Sequence, residues 1–218
     1  MNEIYAHSLE GQNSEHWQPL SEHLGGVADR ASGFAKIFKS EAWAQIAGWF
    51  HDLGKARQSF QNYLRVSNGL TDSEYDASEH SHSGAGAVWA VQTFPKAQLG
   101  RIFAYCVAGH HAGLPDWVGG VAPSGSLSYR LDQEKDVLQE PTVAEMIHSL
   151  PSFAPPPGPW RFAESDVSFW IRMLYSCLVD ADFLDTEEFM NRQVAQARCQ
   201  YPDLTELSAR FFTALDDK

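Results

Sequence analysis

The stretch EAWAQIAGWFHDLGK, residues 41–55, decides how this chain is read. Glu41 to Phe50 has the spacing of a helix, with Ala42, Ile46 and Trp49 on one face. His51 falls at the end of that helix, and Gly54 interrupts or caps it. A His beside an Asp, with Lys55 one turn later, puts two kinds of metal ligand and a cation into five residues. If the helix continues, His51 and Lys55 share a face and Asp52 is turned about 100° away. A bridging carboxylate beside a His ligand suits a pair of ions, and Lys55 could neutralise a phosphate oxygen or orient an attacking water. Read alone, the same five residues suit a surface helix cap equally well.

The company of the motif carries more weight. His23 lies upstream, His82 and the pair His110-His111 downstream, and Asp180-Ala181-Asp182 sits late in the chain. These nitrogen and carboxylate donors are numerous enough for two divalent ions. The late segment, residues 166–190, reads as the strongest helix after the first. Measured from Ile171 at 100° per residue, Leu174 and Leu178 fall within about 60° and Asp182 falls about 20° away. Asp182 therefore continues a buried stripe, and Asp180 points to the opposite side. A buried carboxylate needs a metal or a partner, so Asp182 is the ligand choice, with a salt bridge to an arginine as the rival. Adjacent histidines at a helix end can both turn toward one open site. His82 opens a helix among small residues, either as a ligand or facing solvent. His23 by itself reads as a surface or capping residue. His7, His16, His80 and His148 lack comparable context and are not expected as primary ligands.

The rest of the chain reads as helices separated by polar punctuation. Residues 21–38 carry Leu24, Val27, Ala28, Ala31, Phe34 and Ala35 at helical spacing, with Ser21 as N-cap. Residues 66–80 are a polar loop. Helices are expected over 82–94, stopped by Pro95, over 97–110, and over 204–215. Residues 113–165 are rich in Gly and Pro and read as an insert or lid, with one short helix near 132–148. Strand signals are few, and the fold class is all-α, with residues 1–218 as one domain.

Composition narrows the chemistry. No apolar run approaches a membrane span and the start is not secretory, so a cytoplasmic protein is expected. Cys106, Cys177 and Cys199 form no CxxC pair, which turns any metal site toward His and Asp. The net charge of −12 argues against a broad basic grip on nucleic acid. Bound ions can invert the potential of an acidic pocket, so a nuclease remains compatible, with substrate delivered by a partner. Phosphate-binding loops, GxSxG and cysteine-nucleophile patterns are missing. Hydrolysis by metal-activated water is what these residues can support.

Six segments in order then become informative together: Tyr5-Ala6-His7-Ser8, Trp17-Gln18-Pro19-Leu20-Ser21-Glu22-His23-Leu24, His51-Asp52-Leu53-Gly54-Lys55, His82-Ser83-Gly84-Ala85-Gly86-Ala87, Gly109-His110-His111-Ala112-Gly113 and Ser176-Cys177-Leu178-Val179-Asp180-Ala181-Asp182. Together they resemble the HD superfamily, and specifically the HD nuclease of type I CRISPR systems. The resemblance implies an HD-domain helical bundle and a two-ion site of His23, His51, Asp52, His82, His110, His111 and Asp182. It further implies Asp52 as the bridge, Lys55 assisting at the phosphate, and the Thr186 hydroxyl close by. The implied substrate is single-stranded DNA exposed by an RNA-guided surveillance complex and drawn in by a CRISPR-associated helicase. Helicase motifs are not present, which fits a stand-alone subunit or an N-terminal HD domain of a helicase-nuclease. His-rich ligation favours Mn, Ni, Co or Fe, with Zn able to bind and Mg still compatible. Trp117, Tyr129 and Trp160 could stack on bases. Two rival functions stand beside this one: an HD phosphohydrolase acting on a nucleotide or other small phosphoester, and a catalytically silent adaptor.

Overall fold

The computed structural model describes residues 3–70, 82–95, 98–120, 123–158, 163–198 and 202–216; His80, Trp160, Cys199 and most of the 66–80 loop lie outside them. Strand β1 (Tyr5–His7) pairs antiparallel with β2 (Gln18–Pro19), and ten α-helices make up most of the rest. The helices are α1 (Leu20–Ala35), α2 (Glu41–Phe50), α3 (Gln58–Ser67), α4 (Ser83–Thr93), α5 (Leu99–Gly109), α6 (Leu127–Gln133), α7 (Pro141–Ser149), α8 (Glu164–Met190), α9 (Arg192–Arg198) and α10 (Leu204–Asp216). The all-α class is what the chain adopts. Among the described residues, no helix is long and apolar enough to cross a membrane.

Helix α1 packs on α2 and α8, and α4 packs on α5. Leu24, Val27, Ala28 and Ala31 of α1 are fully buried, as are Phe50 of α2 and Leu178 of α8. Burying a Leu, Val or Phe side chain of this kind contributes roughly 1.5–3 kcal/mol. Trp43 of α2 stacks on Phe103 of α5 at 4.7 Å and meets Trp170 of α8 edge-on at 4.9 Å. The Trp170 indole donates to the Ser40 hydroxyl (2.8 Å), which removes its buried donor. Leu127, Val137, Val143 and Met146, all from the Gly/Pro-rich stretch, belong to the same core.

Several local expectations change. Ser21 is not the N-cap of α1: the helix starts at Leu20, whose N–H donates to the Ile4 carbonyl (2.8 Å), so the small sheet feeds directly into it. Phe34 and Ala42 are exposed rather than on the buried faces. In α2 the buried set is Trp43, Ala44, Ile46, Ala47 and Phe50, because neighbours cover the helix on more than one side. The helix expected near 132–148 is instead two, α6 and α7, joined through a 3-10 turn at Val137–Gln139. Helices α3 and α9 fall in stretches where no helix is expected, although Phe60, Tyr63 and Leu64 of α3 carry helical spacing.

The decisive stretch does not continue as a helix. Helix α2 ends at Phe50, and Leu53–Ala56 tightens into a 3-10 turn. In such a turn residues three apart eclipse, so Asp52 and Lys55 meet rather than diverge. Gly54 lies so close to the His82 carbonyl that a Cβ there would overlap it. That close approach brings the start of α4 onto the end of α2.

Candidate metal centre

Three elements of local structure aim imidazoles at one point. His51 caps the C-terminus of α2 and His110 that of α5. Each folds back on its own helix: His51 Nδ1 donates to the Gly48 carbonyl (2.7 Å) and His110 Nδ1 to the Val107 carbonyl (2.6 Å). The last carbonyls of a helix lack intrahelical donors, so these bonds satisfy them and fix the ring tautomer together. His23, inside α1, donates from Nδ1 to Asp185 Oδ2 (2.8 Å). All three rings thereby turn Nε2 toward Asp52, as metal-binding histidines with their other nitrogen occupied do.

Asp52 is fully buried, and its two oxygens face different groups. Oδ2 lies 3.3 Å from both His23 Nε2 and His51 Nε2, while Oδ1 lies 3.3 Å from His110 Nε2 and 3.5 Å from His82 Nε2. Asp182 Oδ1 closes the first group, 3.3 Å from His23 Nε2 and 3.6 Å from His51 Nε2. The His111 and His82 Nε2 atoms approach to 2.6 Å. Two four-residue clusters result, each able to hold a metal ion: His23, His51, Asp52 and Asp182, and Asp52, His82, His110 and His111. Their union is the seven-residue set that the motif order picks out. Asp182 meets two histidines rather than an arginine, and Asp180 is exposed.

The electrostatics of the metal-free site follow from this crowding. Burial alone would push Asp52 up, but Lys55, then His51 and His82, hold its carboxyl well below the usual range. Asp182 is likewise depressed, with His23 and His51 overcoming burial. Burial would lower both inner histidines; the carboxylates of Asp182, Asp185 and Asp52 hold His23 at about 9, and Asp52 with Asp182 holds His51 at about 10. His111 goes the other way, to about 4, through burial and the neighbouring His110.

Among the described residues, both Asp52 oxygens and His110 Nε2 are buried and held only by the ion-pair contacts of this cluster, with no well-aligned hydrogen bond to any of them. Buried polar atoms without such partners are costly. Convergent imidazole nitrogens around a shared carboxylate fit divalent cations of the His-preferring kind.

The remaining candidates fall around this centre. Lys55 is buried, 2.8 Å from Asp52 Oδ2, and its ammonium donates to His7 Nε2 (3.0 Å). Burial and Lys55 push His7 down to about 3, which keeps it a neutral acceptor. Thr186 Oγ1 lies 3.4 Å from the same nitrogen. His7, passed over as a primary ligand, thus belongs to the rim of the site without joining either cluster. Asp185 and Gln18 were missed: Gln18 Nε2 donates to Asp185 Oδ2 (2.9 Å), the oxygen that orients His23. The sequence signal available for Asp185 was its place one turn beyond Ala181 on the buried stripe. His16 and His148 are exposed and join neither cluster.

No curated protein matches the chain. A family described as Cas3, HD domain, matches residues 7–160, well over half of the chain and all but one of the seven clustered residues. With that match and the helical bundle around a doubled His/Asp centre, the chain belongs to the Cas3 HD-domain family of type I CRISPR nucleases, metal-dependent hydrolases of the HD superfamily.

Proposed function

We propose that this chain cuts single-stranded DNA in CRISPR interference, in the cytoplasm, beside a CRISPR-associated helicase (separate or fused) and an RNA-guided surveillance complex. The observation that carries the reading is Asp52, one buried carboxylate whose two oxygens serve two clusters. Such sharing suits a pair of ions acting on one phosphodiester. Divalent ions held there would supply a water nucleophile at neutral pH and offset charge on the leaving oxygen.

The chain's own residues then divide the work. Asp52 holds both positions in register. His23, His51 and Asp182 complete the inner one, and His82, His110 and His111 the outer. Lys55 presents its ammonium to a phosphate oxygen, with His7 and Thr186 keeping the side chain in place. His111 is exposed, which supports access by a strand rather than only by a small molecule. The exposed Tyr129 ring and Trp117, with the Arg101 guanidinium 4.1 Å from its centroid, supply faces on which bases can stack. The charge of −12 leaves most DNA affinity to the partners.

The test is cleavage of circular single-stranded DNA by metal-stripped protein, titrated with Mn, Ni, Co and Mg beside Asp52→Ala. Metal-dependent cutting that the folded variant lacks is expected. Retained turnover in a pure, folded Asp52→Ala protein would sink the assignment of Asp52. Bound metal without DNA cleavage would move the substrate to a small phosphoester, and no bound metal would leave a silent adaptor.

A further inference from the structure

Helix α6 lies across the backbone segments that carry the outer cluster. Arg130 donates from Nη1 to the Ala108 carbonyl (2.7 Å) and from Nη2 to the Ser83 hydroxyl (2.6 Å). Ala108 is in the last turn of α5, two residues before His110, and Ser83 opens α4 directly after His82. A single guanidinium therefore spans the ends of both helices. One turn further along α6, Glu134 packs its carboxylate onto Gly84 so closely that a Cβ there would overlap it. Gly84 is in the first turn of α4, where free N–H groups and the helix dipole favour an anion. Glu134 also faces Arg57 (3.9 Å), the residue that closes the 3-10 turn begun at Asp52. Asp52, His82 and His110 thus ride on three segments; Arg130 ties the last two directly, and Glu134 adds a longer contact to Arg57, whose closer partner is Glu140 (2.9 Å). His23 of the inner cluster is held from another direction, by Asp185.

We propose that Arg130 is a positioning residue that sets the affinity of the Asp52, His82, His110 and His111 cluster for a divalent cation, separately from the inner cluster. This rests on the two-ion reading above. The histidines of the outer cluster come from two helix ends, which fray unless their backbone is tied. A planar fork fixes the distance between its two acceptors, and a lysine cannot reproduce both bonds. Loss of groups that orient metal ligands typically weakens binding about tenfold to a hundredfold.

The test is calorimetric titration of the metal-stripped full chain with Mn²⁺. Two phases are expected in the unaltered protein, and His82→Ala identifies the outer one by removing it. Arg130→Met is expected to weaken that phase alone by about tenfold to a hundredfold, with Arg130→Lys in between. Ser83→Ala, which removes one arm of the fork, is expected to shift the same phase by less, and it carries the comparison where Arg130→Met does not fold. Both phases moving together, or neither moving, overturns the role of Arg130. A single equivalent in the unaltered chain overturns the two-ion reading instead, and the proposal with it.

Discussion

His23 and Asp182 reach Asp52 from the interiors of α1 and α8, whereas His82 and His110 reach it from the ends of α4 and α5. The inner pair of histidines, His23 and His51, is wholly buried, and the outer cluster includes the exposed His111. Ligands inside a helix inherit their position from packing, since Leu24, Val27 and Leu178 around them are fixed by the core. Ligands at helix ends must be tied by polar contacts, here the i−3 carbonyl bonds and the charges of α6. Apart from His51, which caps α2 as His110 caps α5, the inner cluster is therefore built like a core and the outer one like a loop site. Solvent, and any substrate, meets the second far more readily than the first.

Breaking the shared atom should erase the difference. Asp52→Ala is expected to lose both metal equivalents and all cleavage, measured by elemental analysis of the protein and by nicking of circular DNA. One equivalent retained at full affinity would mean that the carboxylate is not shared. Asp182→Asn is the next largest perturbation: the inner equivalent is lost while the phase removed by His82→Ala stays. Unchanged metal content would take Asp182 out of the ligand set. Asp185→Asn sharpens the contrast further, since it leaves every ligand atom in place but removes the charge that orients His23. A weakening of about tenfold to a hundredfold, confined to the inner phase in calorimetry, is expected. An equal shift in both phases would show that the clusters are mechanically coupled.

The fold class was legible because long apolar-periodic stretches dominate the chain, and α8 was legible down to its register. A carboxylate continuing the Leu174 and Leu178 stripe is costly without a partner, so Asp182 announced itself through period alone. The single sequence held less about what surrounds the ligands. Asp185 lies on the same stripe, but its partners Gln18 and His23 are more than a hundred residues away in the chain. Arg130 sits in a stretch whose Gly and Pro content reads as loop, and only the fold brings it to Ser83 and Ala108. Helix α3 was missed although Phe60, Tyr63 and Leu64 stand at helical spacing; it buries only Phe60, Gln61 and Leu64. Its buried polar residue, Gln61, ties the Lys55 carbonyl (2.7 Å) to the Tyr5 backbone, a task invisible to hydrophobic patterning.

The smallest expected effect compares the clusters by proton rather than by metal. His23 and His51 are raised in the folded, metal-free protein to about 9 and about 10, while His111 is lowered to about 4. A raised histidine contributes stability that is complete below its ordinary value, about 6.5, and is lost as pH climbs toward the folded value. The depressed Asp52 and Asp182 change nothing in that range, because their contribution is lost only at acid pH. His111 and His7 are already neutral in both states above about pH 7. Between about pH 7 and 8, above the titration of unfolded His111 and His7 and below that of the Cys106 and Cys177 thiols, the inner histidines dominate the slope. The metal-stripped protein should therefore lose on the order of 1 kcal/mol per pH unit through this coupled pair, a few degrees of melting temperature at most. With saturating Mn²⁺ the slope should vanish or reverse, because the ion displaces those protons and binds more tightly as pH rises. A stripped protein whose melting temperature is flat across this window would show that the inner histidines carry no extra proton, and that the carboxylates around them are balanced by Lys55 alone.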